Sequence, residues 1–414
     1  MKSNAAAISV EKARQIISER VRPVQQTEEI SLREGLLRVL AEEVTSPIDV
    51  PLGDNAAMDG YAFSAAGLDL SVEQTLKIVG TVYAGQLFDG SVSSGECVKV
   101  TTGVLLPRGA DTVVQFENTS GKDSHITIIP NGATPGINVR RRGEDVKMDH
   151  TVLTESVLLK PAHLGLLASV GLETVRVRRR LKVAFFSTGD ELVSVGQPLT
   201  PGHLYDSNRY SLGGMLERIG CEIIDMGIVR DDPESIRAAF YDASLKADAI
   251  ITTGGISTGA ADHTREVLSE VAEVAFWSIN MRPGRPFAFG KIVSDEKEVA
   301  IFGLPGNPVA VMVSFHFFVK NALFHMMGTR PPLLFSMRVK TVSPLSKRLG
   351  RTEFQRGILA PDGQGNWVVR TTGDQGSAIL SSMVHANCII ILPSDSGEVS
   401  PGETVEVVPF DGLV

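Results

Sequence analysis

The chain has 414 residues, too many for one compact core, and its 43% hydrophobic and 21% charged content is that of a folded globular protein. A net charge of −8 argues against sequence-independent nucleic-acid binding, which needs a basic face. Three widely spaced cysteines, Cys97, Cys221 and Cys388, exclude a disulfide framework and a Cys-x-x-Cys metal site and point to a reducing, cytoplasmic location. Glycine is the outlier, 40 of 414 residues against an average of about 7%. Without a Gly-X-Y period this surplus belongs in turns and ligand loops. The N-terminal stretch has no apolar signal core, and no apolar run approaches the roughly 18–20 residues of a membrane helix. The longest, residues 309–319, is interrupted by Ser314 and His316 and reads as a buried helix.

Residues 1–45 are predicted helical, with Leu32, Leu36, Leu37 and Leu40 on one face. Residues 46–150 carry short runs rich in Val, Thr and Ile broken by Gly, the pattern of a small β domain. Residues 151–178 return to helix, with Pro161 at a first position and Gly171 as a C-terminal cap. The two helical stretches therefore form one helical linker domain into which the β domain is inserted. The basic tract 176–180 reads as a solvated linker or edge. Residues 179–327 alternate strands, at 181–187, 221–229, 248–253 and 299–302, with helices, at 207–219, after Asp232, after Asp262 and after Pro308. Continuous apolar strands in that alternation imply a parallel sheet covered on both faces. Pro331 and Pro332 mark a linker, and residues 333–414 read as a C-terminal β barrel or sandwich.

In an open parallel α/β sheet, ligands bind beyond the carboxyl ends of the strands. Those ends lead into Thr188-Gly189-Asp190-Glu191, Arg230-Asp231-Asp232-Pro233, Gly254-Gly255-Ile256-Ser257-Thr258-Gly259 and Gly303-Leu304-Pro305-Gly306-Asn307-Pro308. Glycines before a helix let backbone amides approach a phosphate. The loop is neither a Walker A sequence nor a dinucleotide fingerprint. Residues 255–259 fit a Gly-x-Ser-x-Gly elbow, but no His follows at a usable place, which leaves a serine hydrolase without its base. Asp190, Glu191, Asp231 and Asp262 would repel a phosphate unless a divalent cation, most simply Mg²⁺, reconciled them. Asp231, Asp232 and Asp262 are equally plausible helix caps. Met281-Arg282-Pro283-Gly284-Arg285-Pro286 presents two arginines from a stiff loop, suited to an oxyanion or polyphosphate, or simply solvated. In the β insertion, small residues flank Asp59, which sits in a tight backbone environment or a plain turn.

Several motifs run in order over nearly the whole chain: Ala57-Met58-Asp59-Gly60-Tyr61-Ala62, Thr102-Gly103 with Pro107-Arg108-Gly109-Ala110-Asp111, Ser187-Thr188-Gly189-Asp190-Glu191-Leu192, Tyr205-Asp206-Ser207-Asn208-Arg209, residues 254–259 with Asp262, residues 282–287, residues 303–308, Phe354-Gln355-Arg356-Gly357 and Gln375-Gly376-Ser377. Together they closely resemble the molybdopterin molybdenumtransferase family (MoeA), which includes the gephyrin E domain. The resemblance implies a multidomain α/β plus β protein: a helical linker domain (1–45 and 151–178), an inserted small β domain (46–150), a central α/β domain of MogA/MoaB type (179–327) and a C-terminal β barrel (333–414). It implies a cytoplasmic homodimer with the active site between subunits, acting in molybdenum cofactor biosynthesis. The implied reaction is Mg²⁺-dependent insertion of molybdate into adenylated molybdopterin with release of AMP, with a molybdopterin adenylyltransferase as a partner and neither nucleic acid nor membrane involved. It assigns catalytic roles to Asp59, Thr102, Asp231, Arg282 and Arg285, and metal binding to Glu191 and Asp262. It assigns substrate binding to Ser187, Gly189, Asp206, Ser207, Gly254, Gly255, Ser257, Gly259, Pro305, Asn307, Arg356 and Ser377. One departure is Ser278, where the family often carries a cation, and the alternative it raises is a non-catalytic pterin-nucleotide-binding or scaffold protein.

Overall fold

The computed structural model describes residues 7–121, 123–256, 263–293 and 297–410. The chain forms two compact units, one built from Met1–Glu28, Leu37–Val39 and Val177–Val414, the other from Glu29–Leu36 and Leu40–Arg176.

The second unit is organised by a six-stranded sheet in the order Thr112–Gln115, Gly60–Phe63, Glu96–Val100, Gln74–Val82, His125–Ile128, Thr119–Ser120. Neighbouring residues of its strands point to opposite faces, and both faces are buried. Phe63, Cys97 and Val114 enter one apolar cluster, while Ala62, Val98 and Val113 enter the other. Gly60 is required by space: a Cβ there would lie 1.9 Å from the Val114 carbonyl oxygen.

Two expected helices are shorter than the sequence implies. The N-terminal stretch is helical only over Val10–Arg20, capped by Ser9, and it is followed by the strand Thr27–Ser31 and a single 3₁₀ turn, Leu32–Glu34. The leucine spacing does not continue a helix, because the turn ends at Gly35 and Leu37 adopts a left-handed φ of 59°. Residues 151–178 hold a helix only at Pro161–Ser169, between the strands Thr151–Leu153 and Thr174–Arg178. Pro161 does begin it, and Gly171 follows it with φ +83°.

The first unit contains the α/β sheet. Its strands are β1 (Lys182–Thr188), β2 (Glu222–Val229), β3 (Ala249–Thr253), β4 (Glu273–Ser278), β5 (Pro286–Val293) and β6 (Glu298–Leu304), in the order β2-β1-β3-β6-β5-β4. The sheet is mixed, not wholly parallel as expected. β2, β1, β3 and β6 are parallel, while β5 and β4 add antiparallel. Only residues 279–285 separate β4 from β5 and residues 294–297 separate β5 from β6, too few for the crossover that parallel neighbours require, so these strands pair antiparallel. Helices α1 (Ser207–Arg218), α2 (Pro233–Lys246) and α3 (His263–Val271) follow β1, β2 and β3 in the chain. In α2, Asp232 accepts from the Ser235 amide (2.8 Å), Pro233 takes a first-turn position, and Ile236, Ala239, Phe240 and Ala243 form the buried stripe. Phe240 meets Phe186 of β1 edge to face at 5.2 Å. On β2 a bulge sets Met226 and Gly227 against Phe186, Gly227 taking φ +78°.

The helix Pro308–Met326 is long and apolar enough to cross a membrane, contrary to the sequence reading, but 89% of its apolar window is buried, which makes it a core helix. A π turn at Phe315–Val319 interrupts it. Arg14 of the N-terminal helix donates to the Phe317 carbonyl (3.3 Å) and lies over the rings of Phe317 and Phe318. Beyond it, β7 (Met337–Thr341), β8 (Thr352–Pro361), β9 (Trp367–Thr371), β10 (Cys388–Leu392) and β11 (Thr404–Pro409) pair in the order β8-β9-β7-β11-β10 and close through β8–β10 into a barrel.

The basic tract 176–180 is structural rather than a solvated linker. Arg178 donates to the Val24 carbonyl, Arg180 to that of Gly220, and Arg179 makes a bidentate pair with Asp248 at 2.6 and 2.8 Å. The Lys182 amide also donates to Asp248 (2.9 Å). Burial raises the Asp248 carboxyl, yet the Arg179 and Lys182 hydrogen bonds outweigh it and hold the group below its usual range.

Two predictions follow from these contacts. Gly60→Ala should cost about 1–3 kcal/mol by overpacking, read as a lower melting temperature. Arg179→Met, which strands a buried carboxylate, should cost about 3 kcal/mol at pH 7. A group whose folded pKa is depressed stabilises above its unfolded value, and that stability is lost as pH falls through the folded value. The wild-type advantage over Arg179→Met should therefore shrink in acid; an advantage constant with pH would refute this account of Asp248.

Candidate functional site

The carboxyl ends of β1, β3 and β6 place three loops on one edge of the α/β sheet. A cavity of about 330 Å³ opens there, lined by Gly255, the 281–286 loop, Pro305, Gly306, Asn307, Arg351, Gln375 and Ser377. Gly255 has φ +60°, and a Cβ there would lie 2.3 Å from the Thr264 hydroxyl oxygen. Gly254 is equally constrained, with a Cβ position 2.3 Å from the Thr188 carbonyl oxygen. The backbone can therefore follow this path only as glycine, which lets the main chain at Gly255 face the cavity directly.

The opposite wall is cationic. After β4 the chain turns away from the sheet, and Met281–Arg282 pairs in parallel with β8 of the barrel, Arg282 beside Glu353. Pro283 and Gly284 then return it to β5. Arg282 and Arg285 line the cavity from this loop, and Arg351 lines it from the segment before β8. A second cavity of about 270 Å³ shares Arg282, Pro283 and Gln375 and is also lined by Glu353, Gln355 and Arg356. Three guanidinium groups and the glycine backbone at Gly255 and Gly306 around one cavity suit an anion with several oxygens.

Arg356 lines the second cavity and also supports a neighbouring turn. It is 1% exposed, and its guanidinium donates to the Ser382 hydroxyl (3.0 Å) and to the Gly376 carbonyl (2.9 Å). The Gln375 side chain accepts from the Arg356 amide (2.7 Å). Arg356 thus secures the turn that carries Gln375 and Ser377 to the first cavity. Burial pushes its pKa down to about 10 against the opposing influence of Asp374, with Arg282 adding to the lowering.

The remaining assigned residues divide clearly. Pro305, Asn307, Gly255 and Ser377 line the cavity, and Gly254 lies beside it, its Cα 3.8 Å from a Cβ position on Gly306. Ser187 does not line it: it is 1% exposed and its hydroxyl accepts from Thr253 (3.0 Å) inside the sheet. Asp206 is buried as the N-cap of α1, accepting from the Arg209 amide (3.2 Å), and Ser207 is the first helical residue. Gly189 is buried with φ +150°, in contact range of the Glu191 carboxylate. The Asp231 amide donates to the Asp190 carboxylate (3.4 Å), which ties the loop after β2 to the loop after β1. Asp232 is the helix cap, as one reading of the sequence had it. Ser257, Gly259 and Asp262 lie outside the described residues. Among the described residues no group of three or more His, Cys, Asp or Glu is arranged to hold a metal ion.

In the other unit, the Thr102 amide and hydroxyl both donate to Asp59 Oδ1, at 2.7 and 2.8 Å. The two assigned residues are partners although 43 positions apart. The backbone bond first, and the hydroxyl second, hold the Asp59 carboxyl below its usual range, against a smaller opposing effect of desolvation. Two residues at the cavities, Arg351 and Glu353, escaped the sequence reading. Their signal was position: Glu353 immediately precedes the Phe354-Gln355-Arg356-Gly357 motif, and Arg351 lies two residues before Glu353.

Residues 8–171 match the MoeA N-terminal region (domain I and II), residues 184–325 the probable molybdopterin binding domain, and residues 338–410 the MoeA C-terminal region (domain IV). The chain is 42% identical to the molybdopterin molybdenumtransferase of Haemophilus influenzae, covering 98% of this chain and 100% of that one. It is 32% identical to the molybdopterin molybdenumtransferase of Nostoc sp., over 93% and 89% of the two chains. A solved molybdopterin biosynthesis moeA protein from Pyrococcus horikoshii OT3 superposes with a TM-score of 0.82 at 28% identity, over 98% of this chain and 100% of that one. By sequence along its whole length, and by fold, the chain belongs to the MoeA family of molybdopterin molybdenumtransferases.

Proposed function

We propose that this chain acts in molybdenum cofactor biosynthesis by inserting molybdate into adenylated molybdopterin, with release of AMP. The observation that carries the reading is the cavity that brings Arg282, Arg285 and Arg351 together with Gly255 and Gly306 of the sheet-edge loops, in a chain that matches named transferases from end to end. Molybdate is a tetrahedral dianion and the adenylated pterin carries a pyrophosphate. Bringing two anions together requires fixed cations, and Arg282, Arg285 and Arg351 supply them. Forked guanidinium groups match tetrahedral oxyanions better than an ammonium would. The glycine loop offers backbone amides to the phosphate end.

The donor set near the β1 and β2 ends is made of hard carboxylate oxygens, which fits Mg²⁺. Glu191 and Asp262 are the proposed ligands, and Asp190 and Asp231 keep the neighbourhood negative. A bound Mg²⁺ would supply Lewis-acid polarisation of the pyrophosphate. Asp59, kept ionised by Thr102, is the proposed group that orients the attacking oxygen or takes its proton as the anhydride P–O bond breaks and AMP departs. By the family resemblance, the protein is proposed to work as a cytoplasmic homodimer with the active site between subunits, receiving its substrate from a molybdopterin adenylyltransferase.

The direct test mixes purified protein, adenylated molybdopterin, Mg²⁺ and molybdate and measures AMP. Molybdate-dependent release is expected, and its absence would sink the reading. Asp59→Asn should lower turnover by about 10²–10⁴-fold while nucleotide binding stays near normal. Because Asp59 must be ionised, activity falls as pH drops through its pKa. Thr102→Val removes one of its two stabilising hydrogen bonds and should move that acid limb to higher pH. An unmoved limb would show that Asp59 is not the group titrating.

A further inference from the structure

Glu353 is the anomaly of the site. It is a carboxylate lining the second cavity, whose other charged lining groups are Arg282 and Arg356, and Arg282 also lines the first cavity beside Arg285 and Arg351. Its side chain is 6% exposed, while that of Arg282 is 56% exposed. A negative charge here repels the very ligands that the arginines attract, so its placement needs a reason beyond binding.

The backbone supplies that reason. Arg282 and Glu353 are cross-strand partners where the 281–282 strand joins β8, and the junction is fixed by the Thr352 amide donating to the Asn280 carbonyl (3.1 Å). The Glu353 carboxylate is itself anchored. Gln355 donates from its side-chain nitrogen to Glu353 Oε2 (3.0 Å) and to the Ser346 carbonyl (2.9 Å). Its other oxygen, Oε1, lies 3.7 Å from Arg282 Nη1. A fixed carboxylate thus faces a long, half-exposed side chain that lines both cavities. Arg282 is shared between Glu353 and whatever anion enters.

We propose that Glu353 is a positioning residue that holds the Arg282 guanidinium at the junction of the two cavities and offsets part of its charge, so that the oxyanion is held loosely enough to be passed on. This rests on the reading of the cavity as the molybdate site. An anion gripped by three unopposed arginines would be stabilised in the ground state, which raises the barrier to transfer. A carboxylate anchored by Gln355 lowers that grip without removing the donors. Glu353→Gln keeps the shape and an oxygen to accept from Gln355, and removes only the charge.

The test measures molybdate binding by equilibrium dialysis and, separately, AMP release. In Glu353→Gln the dissociation constant for molybdate should fall by about three- to tenfold, and KM and kcat should fall together. A merely structural defect would weaken binding instead. With Arg282 already changed to Gln, the same substitution should tighten binding by about twofold or less, because the two side chains act as a pair. Glu353→Asp, which draws the carboxylate back from Arg282, should tighten binding by about twofold, and it carries the test should the Gln variant not fold. Unchanged or weaker molybdate binding in a variant that melts like the wild type would overturn the inference. Failure of the wild-type protein to bind molybdate would instead remove the reading of the cavity itself, and the inference with it.

Discussion

The site depends on one short detour of the backbone. Between β4 and β5 the chain leaves the α/β sheet over residues 279–285, pairs through Met281 and Arg282 with the barrel strand β8, and returns. That pairing fixes Arg282 against Glu353 and turns Arg285 back toward the sheet edge. It also brings the barrel's own contributions, Arg351, Gln375 and Ser377, to the carboxyl ends of β3 and β6. An α/β sheet alone would present glycine loops and carboxylates at this edge, and the cations come from the detour and the barrel. An acidic protein can therefore bind a dianion, because local arrangement and not net charge sets the field in a cleft.

Much of this was legible in the sequence, for identifiable reasons. The strands β1, β3 and β6 are continuous buried runs, and α2 carries a cap, a first-turn proline and a stripe of buried residues. Such signals are local, so single residues reveal them. Asp59 and Thr102 were named from a resemblance, and the structure supplies a physical tie between them that no local pattern shows. The antiparallel half of the sheet was missed because β4, β5 and β6 follow one another without helices, and hydropathy does not report strand direction. The leucines of residues 32–40 mimic a helical stripe, but Leu37 sits in a left-handed conformation that the spacing of apolar residues cannot reveal. Arg356, named as a ligand-binding group, lines the second cavity, and its bonds to the 374–376 turn also make it the support of that turn, a tie that no local pattern shows.

The basic tract 176–180 shows how composition misleads when pairing is nonlocal. Five residues with four arginines look like a solvated edge in the sequence, yet each of Arg178, Arg179 and Arg180 closes a separate contact. Arg179 reaches Asp248, 69 positions ahead, at the entry to β3. The same carboxylate accepts from the Lys182 amide at the entry to β1. One ion pair thereby aligns the starts of the two central strands whose opposite ends carry the glycine loops, so the register of the site is set at the far end of the sheet.

The bulge on β2 has a consequence for how the molecule behaves in company. β2 is the outermost strand of its sheet, and an outer strand offers unpaired amides and carbonyls that any other extended chain can zip onto. At Gly227 the backbone leaves extended geometry, and just before it Asp225 is held by Arg209. The unpaired rim is therefore neither straight nor neutral. By contrast the barrel has no such rim, since β8 and β10 seal it. At this edge of the sheet the geometry therefore disfavours strand-by-strand addition, and the kink that protects it lies on the strand that feeds α2.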